Sequence, residues 1–490
     1  PEYREYERMS TTAVNAYVSP VLDGYLASLE SEIGELGSEL RLRVMQSNGG
    51  IIGPGEARLY GVRCILSGPA GGVVGSRYIA EHGTELGGDN HRLRLITFDM
   101  GGTSTDVSLV DDVPRITTEA QVGGCPIRIP ILDIHTIGAG GGSIASVDAG
   151  GALRVGPQSA GANPGPACYG RGDLPTVTDA NLALGRLADD YFLGGEMLLD
   201  KQRAFHALES LGSQLGYRAE QAALGIVSVV NAHMERALRV ISVERGYDPR
   251  NFTLLSFGGA GGLHAADLAR GLGIPRVLVP PMASTLSAFG MLAADVVKDY
   301  TQTVMLPGEA QWQEIERMLA PIVEQGISEV IDEGIPESDL RVERALDMRY
   351  LGQSYELVIP FSKDYVSAFH EHHRRTYGYA LQAAGVEVVN LRVRVIGRVQ
   401  PPVLLPARRS SIDAGGACVG ERKVLFAEGE REVPFYEAER LQPGNRIEGP
   451  AVVIRSDTTV LVPPLDRAEV DGFLNLIITV GGLTADRRAQ

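Results

Sequence analysis

The chain has four cysteines and one tryptophan in 490 residues. Cys64, Cys125, Cys168 and Cys418 form no CxxC pair and no metal-finger spacing, which excludes a disulfide-stapled scaffold and a zinc module. They read as reduced, mostly buried thiols of a cytoplasmic protein. No run approaches 18 uninterrupted apolar residues, so no membrane-spanning helix is expected. Positive charge is in deficit: 45 Lys and Arg against 61 Asp and Glu leave a net charge of −16. A field of that sign opposes nonspecific nucleic-acid binding and docking to an anionic membrane, so neither is expected as a partner. A single phosphate site can still be built from backbone amides. The chain opens PEYREYERMS, without a starting methionine and with an immediate helical pattern. Residue 1 is therefore expected to lie inside a longer polypeptide or to follow a cut, and no secretory leader is read there.

Hydrophobic residues make up 44% and charged residues 22% of the chain, close to the soluble average, which argues against disorder. At about 150 residues per domain the length suggests roughly three folded units. Glycine is in excess, 60 of 490 residues, about 12% against a usual 7%. It comes in clusters without a collagen period, which predicts tight loops.

Val14, Tyr17, Val21, Leu22, Tyr25, Leu29 and Ile33 recur at spacings of three and four, predicting an amphipathic helix over residues 11–36 with Pro20 as a kink or restart. A short strand at 41–45 runs into a turn at Ser47, Asn48, Gly49 and Gly50, and a helix starts near Pro54. SGPAGGVVG, residues 67–75, reads as a glycine turn opening a helix through Ile79. Strands at 93–98 and 107–110 form a hairpin, residues 138–142 make an all-small turn, and residues 150–175 read as a loop. A helix over about 220–244 stops at Gly246 and Pro249. It is followed by a strand at 252–257, a glycine loop at 258–262 and a helix at 263–271. After Lys298 the texture changes: Trp312, Ile315, Met318, Leu319, Ile322 and Val323 mark a helix, with strands near 342–360, 387–397, 423–427 and 451–462. These patterns predict two domains, residues 1–302 and an α+β domain over 303–490, with no repeat of fixed period.

The sharpest chemical signal is ITFDMGGTSTDVSLV, residues 96–110. A buried strand delivers Asp99, the turn Gly101-Gly102 follows, then the hydroxyls Thr103, Ser104 and Thr105, then Asp106 and a returning strand. Phosphate oxygens need backbone N–H groups at close approach, which glycine permits; hydroxyls add donors, and a carboxylate at a strand end can hold Mg²⁺ or its waters. A second signal is LLSFGGAGGLHAADLA, where Gly258, Gly259, Ala260, Gly261 and Gly262 join a strand to a helix. Such a loop lets a base or ribose lie against bare backbone, and the helix start favours phosphate. It does not match the dinucleotide fingerprint. His135, two residues after Asp133, reads first as a hydrogen-bonded structural histidine; a second divalent metal held with Asp133 is the alternative. His370, His372 and His373 read as a surface cluster at a helix end, and Cys125 and Cys168 lack a base that would make them nucleophiles.

FDMGGTSTDVSLV, TIGAGGGSIA, SGPAGGVVG, FGGAGGLHA, DMRYLGQSYEL, FHEHHRRTYGY and IEGPAVVIRSDTTVLVPP, spread over nearly the whole chain in order, resemble the hydantoinase A/oxoprolinase family. The resemblance implies an α/β fold, an actin-like or hexokinase-like (ribonuclease H-like) ATPase lobe, followed by the C-terminal α+β domain. It implies ATP and Mg²⁺, with Asp99 near the metal and Gly101, Gly102 and Thr103 at the phosphates. Asp99 and Asp106 are the expected catalytic carboxylates, residues 258–262 the adenosine-contacting turn, and Asp99, Asp133 and His135 the candidate metal set. Gly262 stands where the family more often has proline, and Tyr247 where a histidine is common. The family's N-terminal lobe, with its own phosphate loop, is not seen before Pro1, so a partner carrying that lobe and a hydantoinase B-type subunit are expected. The implied activity is ATP-dependent hydrolysis of a cyclic amide such as a hydantoin or 5-oxoproline. The alternatives are the ATPase subunit of an acetone or acetophenone carboxylase, and a noncatalytic actin-like nucleotide-binding module.

Overall fold

Strand Arg94–Met100 is apolar on both faces, with Leu95, Ile96, Phe98 and Met100 all buried, which is the pattern of a central strand covered on both sides. In the computed structural model, which describes residues 3–37, 41–85 and 92–482, it sits inside a nine-stranded sheet. The chain divides into two compact units, each drawn from three stretches: Pro1–Ala70, Ile116–Leu132 and Met291–Pro402 in one, Gly71–Arg115, Asp133–Gly290 and Val403–Gln490 in the other.

In the second unit Arg94–Met100 pairs antiparallel with Thr105–Asp111, the hairpin expected from the sequence, and parallel with Thr253–Phe257. Ile134–Ile137 extends the sheet beyond Thr105–Asp111. On the other side follow Arg276–Val279, Leu476–Thr479, Arg467–Val470 and Arg446–Glu448. The helix Ala219–Ile241 buries Ala222, Ile226, Val230, Met234, Ala237, Leu238 and Ile241, a stripe at helical spacing. A separate four-stranded sheet, Cys418–Phe426, Gly429–Glu437, Ala451–Ile454 and Thr459–Val462, contributes Val424, Phe426, Val433, Phe435, Val452, Ile454 and Leu461 to a core shared with Cys168, Leu182, Leu187 and Leu263. Each such large apolar side chain contributes roughly 1.5–3 kcal/mol on burial, so this core fastens the C-terminal strands to the helix Val177–Ala183.

The first unit is built on a six-stranded sheet in the order Val44–Met45, Ile51–Ile52, Val296–Pro307, Val386–Gly397, Leu340–Tyr350, Leu357–Pro360. The helix Trp312–Asp332 packs against it through Ile315, Leu319, Gly326 and Val330. On the sheet, Arg394 pairs with Asp299 through two hydrogen bonds of 2.7 and 3.0 Å, and Arg392 pairs with Asp347. The helix Glu5–Leu36 runs through Pro20 without a restart.

Four expectations change. The glycines of residues 67–75 lie inside the helix Ser67–His82. A Cβ on Gly71 would come 2.5 Å from the Ser287 carbonyl oxygen, and one on Gly75 2.7 Å from that of Leu286, so these glycines permit close helix packing. Residues 150–175 hold the strand Leu153–Ser159, paired antiparallel with Ser143–Val147. His373 is buried, stacked edge-on against Tyr350 and hydrogen-bonded through Nδ1 to the Tyr379 carbonyl, so the histidines are not simply a surface cluster. All four cysteines are free; Cys125 and Cys418 are exposed, so the thiols are not mostly buried.

Candidate functional site

Asp99, one residue from the end of its strand, lies opposite Asp106 in the hairpin register and beside Phe257 of the parallel neighbour. Burial, reinforced by the Asp106 charge, pushes the Asp99 carboxyl up to about 7. Asp106 is also raised, chiefly by burial, while the Thr136 hydroxyl donates to its Oδ1 and opposes that rise. The Gly101-Gly102 turn follows directly, and two other loops are sewn to it. The Met100 carbonyl accepts from Ala260 N–H at 3.0 Å, the Gly101 carbonyl from Gly141 N–H at 3.0 Å, and the Gly102 carbonyl from Gly142 N–H at 2.6 Å.

The glycines here fall into two kinds. A Cβ on Gly140 would lie 2.6 Å from the Thr103 nitrogen, and one on Gly258, at φ +80°, 2.4 Å from Asp99 Oδ1. Those positions are glycine because the loops touch. Gly101 and Gly102 have no protein atom within 4 Å of a Cβ position. The amides of Gly102 and Thr103 donate to no protein acceptor among the described residues. Bare backbone with available donors beside two carboxylates is what a phosphate chain requires.

The remaining residues of the two loops divide similarly. Thr105 is buried and its hydroxyl donates to the Ala139 carbonyl at 2.6 Å, which gives it a structural role. Thr103 is exposed, with Oγ1 3.4 Å from Ser159 Oγ. The Ser104 carbonyl closes the turn by accepting from Gly101 N–H at 3.1 Å. A Cβ on Gly261 would meet Ser256 Oγ at 2.9 Å, and one on Gly262 the Thr459 carbonyl oxygen at 2.6 Å, whereas at Gly259 the nearest atom is 3.6 Å away.

These loops open on a cavity of about 160 Å³. Gly101, Gly102, Gly141, Gly259 and Ala260 line it, together with an apolar wall of Tyr169, Leu187, Ala188, Tyr191 and Phe192 and the polar side chains Asn181 and His264. Residues 454–459 line it too. Thr458 Oγ1 donates to the Gly258 and Gly259 carbonyls, and Asp457 Oδ2 accepts from the amide and hydroxyl of Ser284. Tyr169 is held in place by Asp179, whose buried carboxylate accepts from the amides of Ala167, Cys168 and Thr176 and from the Thr176 hydroxyl. The motif reading missed Asn181, His264 and the 455–458 turn as site residues. The only available signals were a histidine two residues after a glycine loop and a polar RSDTT stretch between two strands.

The expected metal set does not gather. Asp133 accepts from both terminal guanidinium nitrogens of Arg245, Nη1 and Nη2, the latter at 3.0 Å, and Arg115 stands 3.9 Å away, so its charge is neutralised within the protein. His135 sits in strand Ile134–Ile137 opposite Val107. Among the described residues no three His, Cys, Asp or Glu side chains form a metal-holding group, and no helix is long and apolar enough to cross a membrane.

A family model described as hydantoinase/oxoprolinase matches residues 8–300, and one for the hydantoinase/oxoprolinase C-terminal domain matches residues 308–477. An uncharacterized protein of Methanocaldococcus jannaschii is 40% identical over 491 residues, 96% of this chain and 70% of its own length. Caprolactamase subunit alpha of Pseudomonas jessenii is 38% identical over 500 residues, 98% of this chain and 71% of its own. The crystal structure of the ATP-dependent caprolactamase from Pseudomonas jessenii superposes with a TM-score of 0.85 at 37% identity, covering 98% of this chain and 71% of that one. A nucleotide-free structure of acetone carboxylase gives 0.82 at 27%, covering 98% and 70%. The α/β architecture is that of an actin-like ATPase lobe with a C-terminal domain. With two consecutive family models covering most of its length, the chain belongs to the hydantoinase/oxoprolinase family.

Proposed function

We propose that this chain is the ATP-using subunit of an ATP-dependent cyclic-amide hydrolase. The carrying observation is the Gly101-Gly102 turn, with open Cβ positions at both glycines and amides at Gly102 and Thr103 that donate to no protein acceptor among the described residues, set beside the facing carboxylates Asp99 and Asp106. In this reading the glycine turn and Thr103 bind the phosphates, and Gly259 and Ala260 carry the nucleoside. Asp99 and Asp106 fit a divalent cation: both are driven up by burial, and Asp99 also by its like-charged neighbour, a strain that a cation relieves. Mg²⁺ bound there would neutralise charge on the transferring phosphoryl group. The expectation of a second metal at Asp133 and His135 is not carried forward, because Arg245 already compensates Asp133.

An amide is a poor electrophile because its oxygen holds electron density. When that oxygen attacks the terminal phosphorus of ATP, an O–P bond forms, the bridging P–O bond breaks and ADP leaves. Water then adds to the activated carbon and the ring C–N bond breaks, the nitrogen taking up a proton and leaving an acyl phosphate, which a second water cleaves to the open-chain acid and inorganic phosphate. The amides of Gly102 and Thr103 stabilise charge as it develops on the phosphoryl oxygens. The resemblance of relatives named as subunits supports assembly with a hydantoinase B-type subunit and with the N-terminal lobe, this chain supplying a core over residues 1–302 and an α+β domain over 303–490.

The likeness to acetone carboxylase favours a second reading, in which the phosphorylated species arises during ATP-dependent ketone carboxylation. Turnover that requires bicarbonate and a ketone identifies that reading. Turnover driven by a lactam without bicarbonate identifies the hydrolase.

A further inference from the structure

Asn181 is 1% exposed and lines the cavity, yet its Oδ1 accepts no hydrogen bond within the protein. The orientation of its carboxamide is fixed by the other atom. Nδ2 donates to the Val177 carbonyl at 3.1 Å and lies 3.4 Å from His264 Nε2. His264 Nδ1 lies 2.7 Å from Asn231 Oδ1, an acceptor, so the proton belongs on Nδ1 and Nε2 is free to accept from Asn181. Burial holds His264 neutral, which keeps this chain of donors running in one direction. A buried acceptor without a donor is costly, and one held in place by a relay is built for a ligand N–H.

The position of Asn181 selects the ligand group. It lies one helical turn beyond Thr178, whose amide and hydroxyl both donate to the Gly141 carbonyl, and Gly141 is bonded to Gly101. That turn carries it about 5 Å along the helix from the phosphate loops. The cavity it lines also carries the aromatic rings of Tyr169, Tyr191 and Phe192. A cyclic amide has to sit at the terminal phosphate, beside Asp99, whereas a base sits at the opposite end of the nucleotide.

We propose that Asn181 is the base-specificity residue of this site, with Oδ1 accepting from the exocyclic amino group of a 6-aminopurine. This rests on the nucleotide reading of the cavity and adds the group that is read. A 6-keto purine sets two acceptors face to face and leaves both unpaired, which is how polar sites discriminate.

The probes are ATP and ITP, which differ at this position, applied to the chain isolated with its native partners. Thermal upshift and nucleotide-dependent phosphate release at saturating substrate are both read. The wild type favours ATP over ITP by on the order of tenfold or more in kcat/KM, chiefly through KM. Asn181→Ala brings the ratio toward one by weakening ATP. Asn181→Leu, close in size, does the same and guards against loss of fold in the smaller variant. Equal response of the wild type to ATP and ITP, or an ATP preference retained in both variants, overturns the assignment of Asn181 while leaving the nucleotide site standing. No response of the wild type to either nucleotide overturns the site reading and this inference together.

Discussion

Asp99 and Asp106 face each other across one register step of the hairpin, two carboxylates in a half-buried site with no cation among the causes acting on either. Stability alone disfavours that arrangement, since burial and like charge both act against the ionised forms. Strain of this kind, kept at the mouth of a phosphate-shaped loop, belongs to function.

Asp99→Asn is therefore expected to abolish ATP turnover without lowering the melting temperature, because a neutral amide replaces a disfavoured charge at the same volume. Steady-state ADP release together with differential scanning fluorimetry at pH 8 checks this. Turnover at the wild-type rate would remove Asp99 from the chemistry.

The two kinds of glycine respond differently to alanine. At Gly102 an added methyl faces open space, so Gly102→Ala keeps the melting temperature within a few degrees and raises KM for ATP by tenfold or more, by obstructing phosphate approach. At Gly140 the methyl would meet the Thr103 nitrogen at 2.6 Å, so Gly140→Ala destabilises by about 1–3 kcal/mol. Chemical denaturation and nucleotide titration separate the two effects. A destabilised Gly102→Ala that still binds ATP normally would reverse the assignment.

Asp179→Ala strands three amides and a hydroxyl that now share one buried carboxylate. A loss of about 3–5 kcal/mol is expected, with Asp179→Asn intermediate. Urea unfolding measures it, and a change below about 1 kcal/mol would contradict the role given to this network.

His264 supplies a pH dependence. Burial pushes its imidazole down to about 3 from an ordinary 6.5, so between those values the unfolded chain holds a proton that the folded chain does not. Stability is then fully present above about pH 6.5 and falls with pH below it, by about 2 kcal/mol at pH 5. His264→Asn lacks this slope. Melting curves at pH 7.5 and pH 5 are expected to show the wild type losing more than the variant by that amount, and parallel losses would contradict a neutral His264.

The phosphate hairpin was legible because two signals coincided, an apolar strand running into Asp99 and a glycine pair flanked by hydroxyls. The loop at 258–262 and the helix after it were legible for similar reasons. SGPAGGVVG reads as a turn because a glycine needed for close helix packing, such as Gly71 against Ser287, is written in sequence like a glycine needed for a turn. Strand Leu153–Ser159 was hidden by Gly156 and Pro157, tolerated there because the strand belongs to a two-stranded ribbon. Sequence spacing pairs Asp133 with His135, whereas its charge is met by Arg245, 112 residues away. Asn181 and His264, 83 residues apart, carry no periodicity, and only the fold brings them to one cavity.

Cyclic-amide hydrolysis is measured by ADP release from the complex isolated through this chain, given Mg·ATP and a panel of hydantoins, 5-oxoproline and other lactams without bicarbonate. Stimulation by a cyclic amide, with ring-opened product appearing in step with ADP, is the predicted result. Silence toward every cyclic amide, with activity appearing only when bicarbonate and a ketone are supplied, would contradict it.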